Sequence, residues 1–268
     1  MKRELEILRP LALGLLAGIM SWLAGAGAAQ GQPHQVFPLE ADAECSDEMA
    51  ANIPVDAEIA RSKVPPEFDL LLTPDGSAVL VFAAKICTWE IEGRVWATKE
   101  LHAFIEVDGP FQVIPVPGAP VTLASRYVYR LFFEGEATEG IAFSYLKRFG
   151  QEDGGRVQRI EIQPFAPVRT GSVIENGTGG QGYRWTEYTT PIPPVQFGQT
   201  NFFYDDPANE ARPWRVVSQA AQLFNLVGQG MIVLETDPGS RLGDFGPILM
   251  GPTSDVSPMR LHGVQYIE

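Results

Sequence analysis

Apolar and polar positions along the chain fall into two kinds of short run, and both predict strands. The segment Ala78 to Ala84, AVLVFAA, is apolar throughout, which fits a strand buried on both faces better than an amphipathic helix. It follows a turn signal at Pro74-Asp75-Gly76 and continues as KICTWEI to a second turn at Glu92-Gly93. Beyond that turn the chain alternates strictly, with Leu101, Ala103, Ile105 and Val107 on one side and His102, Phe104 and Glu106 on the other. The stretch SRYVYRLFFEGEA alternates again, setting Tyr127, Tyr129, Leu131 and Phe133 against Arg126, Val128, Arg130, Phe132 and Glu134. Strict alternation predicts that Arg126 and Arg130 share a face. Two more strands, IAFSYLKRF and RVQRIEIQPF, flank a turn at Asp153-Gly154-Gly155 and read as antiparallel neighbours. Helical signals are short. One lies in Ser46 to Pro54, capped by Ser46 or Asp47, and the better one spans about Ser218 to Val227, ended by Gly228.

These elements predict a mainly β fold: an antiparallel β-barrel or a cone-like sandwich with short helices and long loops. The 22 prolines and 27 glycines supply many turns, yet no composition step or repeat divides the chain. Residues 30–268 read as a single β-rich domain whose first part, 30–60, is an extended arm. A boundary between Pro164 and Gly182 is the alternative.

The N-terminus carries a different signal. Lys2, Arg3 and Arg9 precede Leu11 to Ala29, an uncharged run rich in glycine and alanine, and a polar GQPHQ stretch follows. This is the pattern of a signal peptide over residues 1–29, with cleavage near Ala28 or Ala29. An uncleaved membrane anchor is the competing reading, since about 20 apolar residues span a bilayer. With cleavage the chain is secreted or periplasmic and has no stable membrane insertion.

Composition then narrows the partners. The formal charge is −13, and losing residues 1–29 moves it to −14 by removing three basic and two acidic groups. Such acidity argues against nucleic acid as a partner. The only cysteines, Cys45 and Cys87, read as one disulfide in an exported chain, closing a loop worth roughly 4 kcal/mol.

Several residues carry possible chemistry. Glu100 and His102 share one strand face and form an acid-base pair, or else a solvated strand rim. Arg126 and Arg130 present guanidinium forks suited to a carboxylate, with Tyr129 nearby, or pair with Glu134 in solvent. An aromatic group that includes Tyr183, Trp185 and Tyr188 lines an apolar pocket or fills a core, and Glu187 is its titrating member. Asp205 to Glu210 is oxygen-rich but lacks calcium-loop spacing, and no metal or cofactor motif is present. Asn176-Gly177-Thr178 is a glycosylation sequon.

The stretch VPPEFDLLLTPDGSAVLVFAAKICTWEI, followed by a turn and Lys99-Glu100-Leu101-His102, resembles the start of acetoacetate decarboxylase-like domains over Val64 to about Pro167. That resemblance implies a cone-shaped β-barrel around an apolar cavity. It also implies a lysine that forms a Schiff base with a keto acid, while an arginine and glutamates position the carboxylate. The family's Glu-x-Pro-Lys segment is absent, and of the five lysines only Lys85 lies in a buried strand. The expected ligand is a small, partly apolar organic acid or carbonyl compound. Lys85, Glu100 and His102 are the catalytic candidates; Arg126, Arg130, Tyr129 and Trp185 are the binding candidates. A lyase-like or hydrolytic enzyme, a non-catalytic binding protein and a structural protein stand as alternatives.

Overall fold

A computed structural model describes residues 36–91, 93–108, 124–135, 157–163, 168–175, 179–196, 200–205, 214–219, 225–256 and 259–267. All belong to one compact unit, Val36–Glu268. The signal-peptide reading, His34, Asn176 and most of the acidic run Asp205 to Glu210 lie outside the described residues.

The fold is mainly β. Its strands are β1 (Val36–Val55), β2 (Asp69–Leu70), β3 (Ala78–Ile91), β4 (Arg94–Asp108), β5 (Ala124–Gly135), β6 (Val157–Ile162) and β7 (Val168–Glu175). There follow β8 (Gly182–Gln196), β9 (Thr200–Asp205), β10 (Trp214–Gln219), β11 (Asn225–Thr236), β12 (Ile248–Val256) and β13 (Met259–Ile267). The path across the sheet is β13-β10-β9-β5-β4-β3-β1-β12-β11-β8-β7-β6, and β13 also pairs with β1. Only β5 with β9 is parallel among the described strand pairs. The pairing of β13 with β1 returns the path through β10, β9, β5, β4 and β3 to its own start, while β12, β11, β8, β7 and β6 carry the sheet on to an edge, so the sheet as a whole is open and sandwich-like. Of the two architectures expected from the sequence, the whole sheet matches the sandwich and not a single closed barrel.

Of the two helical expectations from the sequence, the first is overturned and the second fails at both ends. Ser46 to Pro54 lies within β1, where it pairs with β3 and β12, and the one α-helix among the described residues, α1 (Ala57–Arg61), starts one turn later. Asp56 caps it by accepting from the amides of Glu58 and Ile59 at 2.8 and 2.9 Å. The second segment divides between the end of β10 and the start of β11, with 220–224 undescribed. Cross-strand pairing decides these segments over local propensity. Within the arm expected over 30–60, Val36–Val55 is a long strand with partners on both sides. Arg61 then reaches back to the carbonyls of Val64, Pro65 and Phe68, which pins the proline-bounded segment before β2.

The main core lies on one side of β3, β4 and β5. Leu80, Phe82 and Ala84 meet Leu101, Ala103 and Ile105 there, with Met49, Ala51 and Ile53 of β1 beside them. The other half of the sheet contributes Val173, Trp185, Ile232 and Leu234, and Phe82 meets Trp185 edge to face at 5.5 Å. The opposite side of β3–β5 is buried as well: Val81, Ala83, Phe104, Val128, Leu131 and Phe133 are all sequestered. Strands buried on both faces explain the near-continuous apolar run of β3.

Candidate functional site

The β3–β4 hairpin builds a polar group on that second buried face. Ile91 pairs with Arg94 across the intervening two residues, with Gly93 at φ 72°, and counting back in step sets Lys85 opposite Glu100 and Cys87 opposite Thr98. Alternation places Lys85 and Trp89 of β3 on the same face as Thr98, Glu100 and His102 of β4.

Glu100 is the hub. Its Oε1 accepts from the Trp89 indole N–H and from the Thr98 hydroxyl at 2.7 Å. Its Oε2 lies 2.9 Å from His102 Nε2 and 3.6 Å from the Lys85 ammonium. Burial opposes ionisation of Glu100, but Lys85, His102 and Thr98 outweigh it and hold the carboxyl down to about 2. Burial, reinforced by Lys85, pushes His102 down to about 4 even though Glu100 pulls the other way. At neutral pH the group is therefore an ammonium, a carboxylate and a neutral imidazole.

Arg126 joins this face from β5. It pairs with Glu106 in register and by ion pair at 3.9 Å, and its guanidinium stacks 5.9 Å from the Phe104 ring. The same ring meets His102 edge to face at 5.4 Å.

Arg130 does not share this face. A β-bulge between the pairs Ala103 with Arg130 and Phe104 with Val128 inserts Tyr129 as an extra residue. Past the bulge the alternation is reversed, so Arg126 and Arg130 point to opposite sides. Tyr129 donates to the Arg241 carbonyl at 2.9 Å, and the Arg130 guanidinium lies 4.3 Å from the Tyr129 ring. Trp185 is buried, packed so closely over Gly171 that a Cβ there would lie 2.0 Å from its ring, and it borders a cavity with Thr170, Ser172, Arg184 and Glu235, none of which belongs to the Lys85 group. Of the residues expected to bind a ligand, the structure brings only Arg126 to Lys85, Glu100 and His102.

A second buried polar group, of which the sequence signalled only Glu187, lies in the other half of the sheet. Arg169 of β7 sits 3.5 Å from Glu187 Oε2 and 3.0 Å from Asp255 Oδ1. Thr253 donates to Glu187 at 2.9 Å and Thr189 donates to Asp255, both reaching across β11. They can do so because β11 contributes Gly228 and Gly230 there; a Cβ on Gly228 would lie 2.6 Å from Asp255 Oδ2. Burial pushes the Glu187 carboxyl up to about 7, against the pull of Arg169 and Thr253. The folded state thus binds a proton that the unfolded chain releases near pH 4.5, and the contribution of Glu187 to stability declines as the pH rises from 4.5 to 7. Glu187→Gln is expected to remove this decline, worth about 3 kcal/mol, in urea titrations run across that range.

No family model matches this chain, and no curated protein matches it. Solved structures do match. An acetoacetate decarboxylase-like enzyme from Sphingomonas wittichii RW1 superposes with a TM-score of 0.59 at 11% identity, over 90% of this chain and 98% of that one. The fold is that of the acetoacetate decarboxylase-like enzymes. The acetoacetate decarboxylase of Legionella pneumophila subsp. pneumophila str. Philadelphia 1 gives 0.56 at 11% identity, over 89% of this chain and 90% of that one. The enduracididine biosynthesis enzyme MppR, complexed with the condensation product of pyruvate and imidazole 4-carboxaldehyde, gives 0.55 at 14% identity, covering 90% of each chain. The acetoacetate decarboxylase-like fold thus extends beyond Val64 to Pro167, the part in which the sequence resemblance lies.

Proposed function

We propose that this protein binds a small, partly apolar organic acid or carbonyl compound at the β3–β4–β5 face carrying Lys85, Glu100, His102 and Arg126. One observation carries the reading: two strands bring an ammonium, a carboxylate and an imidazole together, nearly or wholly out of water, among Val81, Ala83, Leu131 and Phe133. A buried ion pair of this kind gives little net stability, and apolar side chains would fill the space as well or better. Ionisable groups kept at such a cost are characteristic of functional sites. The fold shared with an enzyme solved with a pyruvate-derived product supports the same ligand class.

A lyase-like activity is the finer form of this reading. Lys85 would give up a proton and attack a carbonyl carbon, and a proton returned to the former carbonyl oxygen would let it leave as water, forming an iminium with no net change in protons or charge. The iminium keeps the positive charge, so the ion pair with Glu100 persists through the step. We place the protein outside the cytoplasm, a reading supported by the Cys45–Cys87 disulfide and the leader-like residues 1–29. No helix among the described residues is long and apolar enough to cross a membrane.

The test is titration with small oxo and hydroxy acids, followed for the oxo acids by borohydride and intact-mass analysis of wild type and Lys85→Met. A trapped adduct that disappears with Lys85→Met supports the lyase-like form. Binding without an adduct leaves a non-catalytic binding protein, and failure of every acid to bind refutes the proposal.

A further inference from the structure

The hydrogen bonds around Glu100 determine what a ligand must bring to His102. Both carboxylate oxygens of Glu100 are engaged: Oε1 by the Trp89 indole and the Thr98 hydroxyl, Oε2 by Lys85 and His102. A carboxylate facing an ammonium and two neutral donors is itself only an acceptor, so the hydrogen of the 2.9 Å contact with His102 belongs to Nε2. The Lys85 charge and the apolar walls of Phe104 and Phe133 disfavour a second ring proton. His102 is thereby held as one neutral tautomer, with Nδ1 as a bare acceptor.

That acceptor is an unused hydrogen-bonding position of the group, and the one that faces a ligand as an acceptor only. No described residue hydrogen-bonds to Nδ1. Of the three side chains His102 is also the most open, 11% exposed against 4% for Lys85 and 0% for Glu100. The Arg126 guanidinium, a partner for a carboxylate, lies over the same Phe104 ring that His102 meets edge to face. That ring therefore contacts both an anion-binding group and the residue that offers the acceptor.

Resting on the reading above, we infer that the preferred ligand is a small hydroxy acid, whose carboxylate meets Arg126 and whose O–H donates to His102 Nδ1. Oxo acids and unsubstituted acids of the same length have no hydrogen to donate and leave Nδ1 desolvated and unpaired. A site built to bond a hydroxyl rejects an analogue that lacks one much more strongly than an apolar pocket rejects a change of size.

Two measurements on the full chain test this. Nitrogen NMR of 15N-imidazole-labelled protein, with the His102 signals assigned through His102→Phe, is expected to show Nε2 protonated and Nδ1 bare at pH 7. Calorimetric titration with lactate, pyruvate and propanoate, and with the four-carbon 3-hydroxy, 3-oxo and unsubstituted acids, is expected to favour the hydroxy member of each set by about tenfold or more. His102→Phe is expected to abolish that preference. A proton on Nδ1, or oxo and unsubstituted acids binding as well as the hydroxy acids, overturns the inference while leaving the site reading intact. If none of the six acids binds, both fall.

Discussion

Glu100→Leu is expected to destabilise the folded chain by about 3–5 kcal/mol, the cost of leaving a buried partner charge unpaired. The loss has three identifiable parts. Lys85 keeps a charge at 4% exposure with its carboxylate gone, the Trp89 indole and Thr98 hydroxyl lose their shared acceptor, and His102 loses the partner that orients it. The double variant Lys85→Met/Glu100→Leu is expected to recover most of the deficit, because two apolar side chains suit the surrounding Leu131, Phe133 and Val81. Urea midpoints of the single and double variants check this. If the double variant is as unstable as Glu100→Leu alone, the unpaired charge is not the cause. Acid titration adds a signature. His102, held at about 4 against an ordinary 6.5, contributes stability above pH 6.5 that is lost as the pH falls toward 4. Glu100, held at about 2 against 4.5, contributes above pH 4.5 and loses its part as the pH falls through 2. In wild type the His102 step overlaps the opposite contribution of Glu187, so it should appear as a loss of stability on acidification in Glu187→Gln that the double variant His102→Phe/Glu187→Gln lacks.

The second large effect is expected from the Cys45–Cys87 disulfide. The two residues are directly paired across β1 and β3, and the bond closes a loop spanning a sequence separation of 42. Chain entropy puts a cross-link of that size at roughly 4 kcal/mol. Cys45→Ser/Cys87→Ser is expected to lose about 3–4 kcal/mol, which for a domain of this size lowers the melting temperature by about 10 °C. Reduction of the wild-type protein by dithiothreitol should produce the same shift in a thermal scan, and a melting point indifferent to reductant would refute the assignment. Cys87 lies on the face of Lys85 and Trp89 and pairs with Thr98, so the bond also braces the strand that carries the site.

The site was more legible in the sequence than the pairing of its neighbours. Strict alternation placed Glu100 and His102 on one face, and the apolar run of β3 marked Lys85 as the lysine in a buried strand. The turn at Glu92-Gly93 held the further information that Lys85 stands opposite Glu100, since a two-residue connection fixes the register of the whole hairpin. Arg130 was misplaced because a single inserted residue at Tyr129 reverses the alternation, and a bulge leaves no trace in hydrophobic pattern. The two helical segments were misread because short local propensity loses to a strand with partners on both sides. Arg169, Glu187 and Asp255 come from β7, β8 and β12, and only their assembly over the glycines of β11 makes them a group.

By itself the sequence determined the strand-rich class, the disulfide pair and the one strand face that holds both Glu100 and His102. These depend on periodicity and on residue chemistry, which are local. Tertiary structure alone decided that the sheet stays open and sandwich-like, that Arg126 rather than Arg130 reaches the site, and that Lys85, Glu100 and His102 are sealed from water. Those outcomes depend on register and on what covers each face, and the protonation states follow from them. A carboxylate held near 2 beside an imidazole held near 4 is a property of burial and of a neighbouring ammonium, not of the residues taken one at a time.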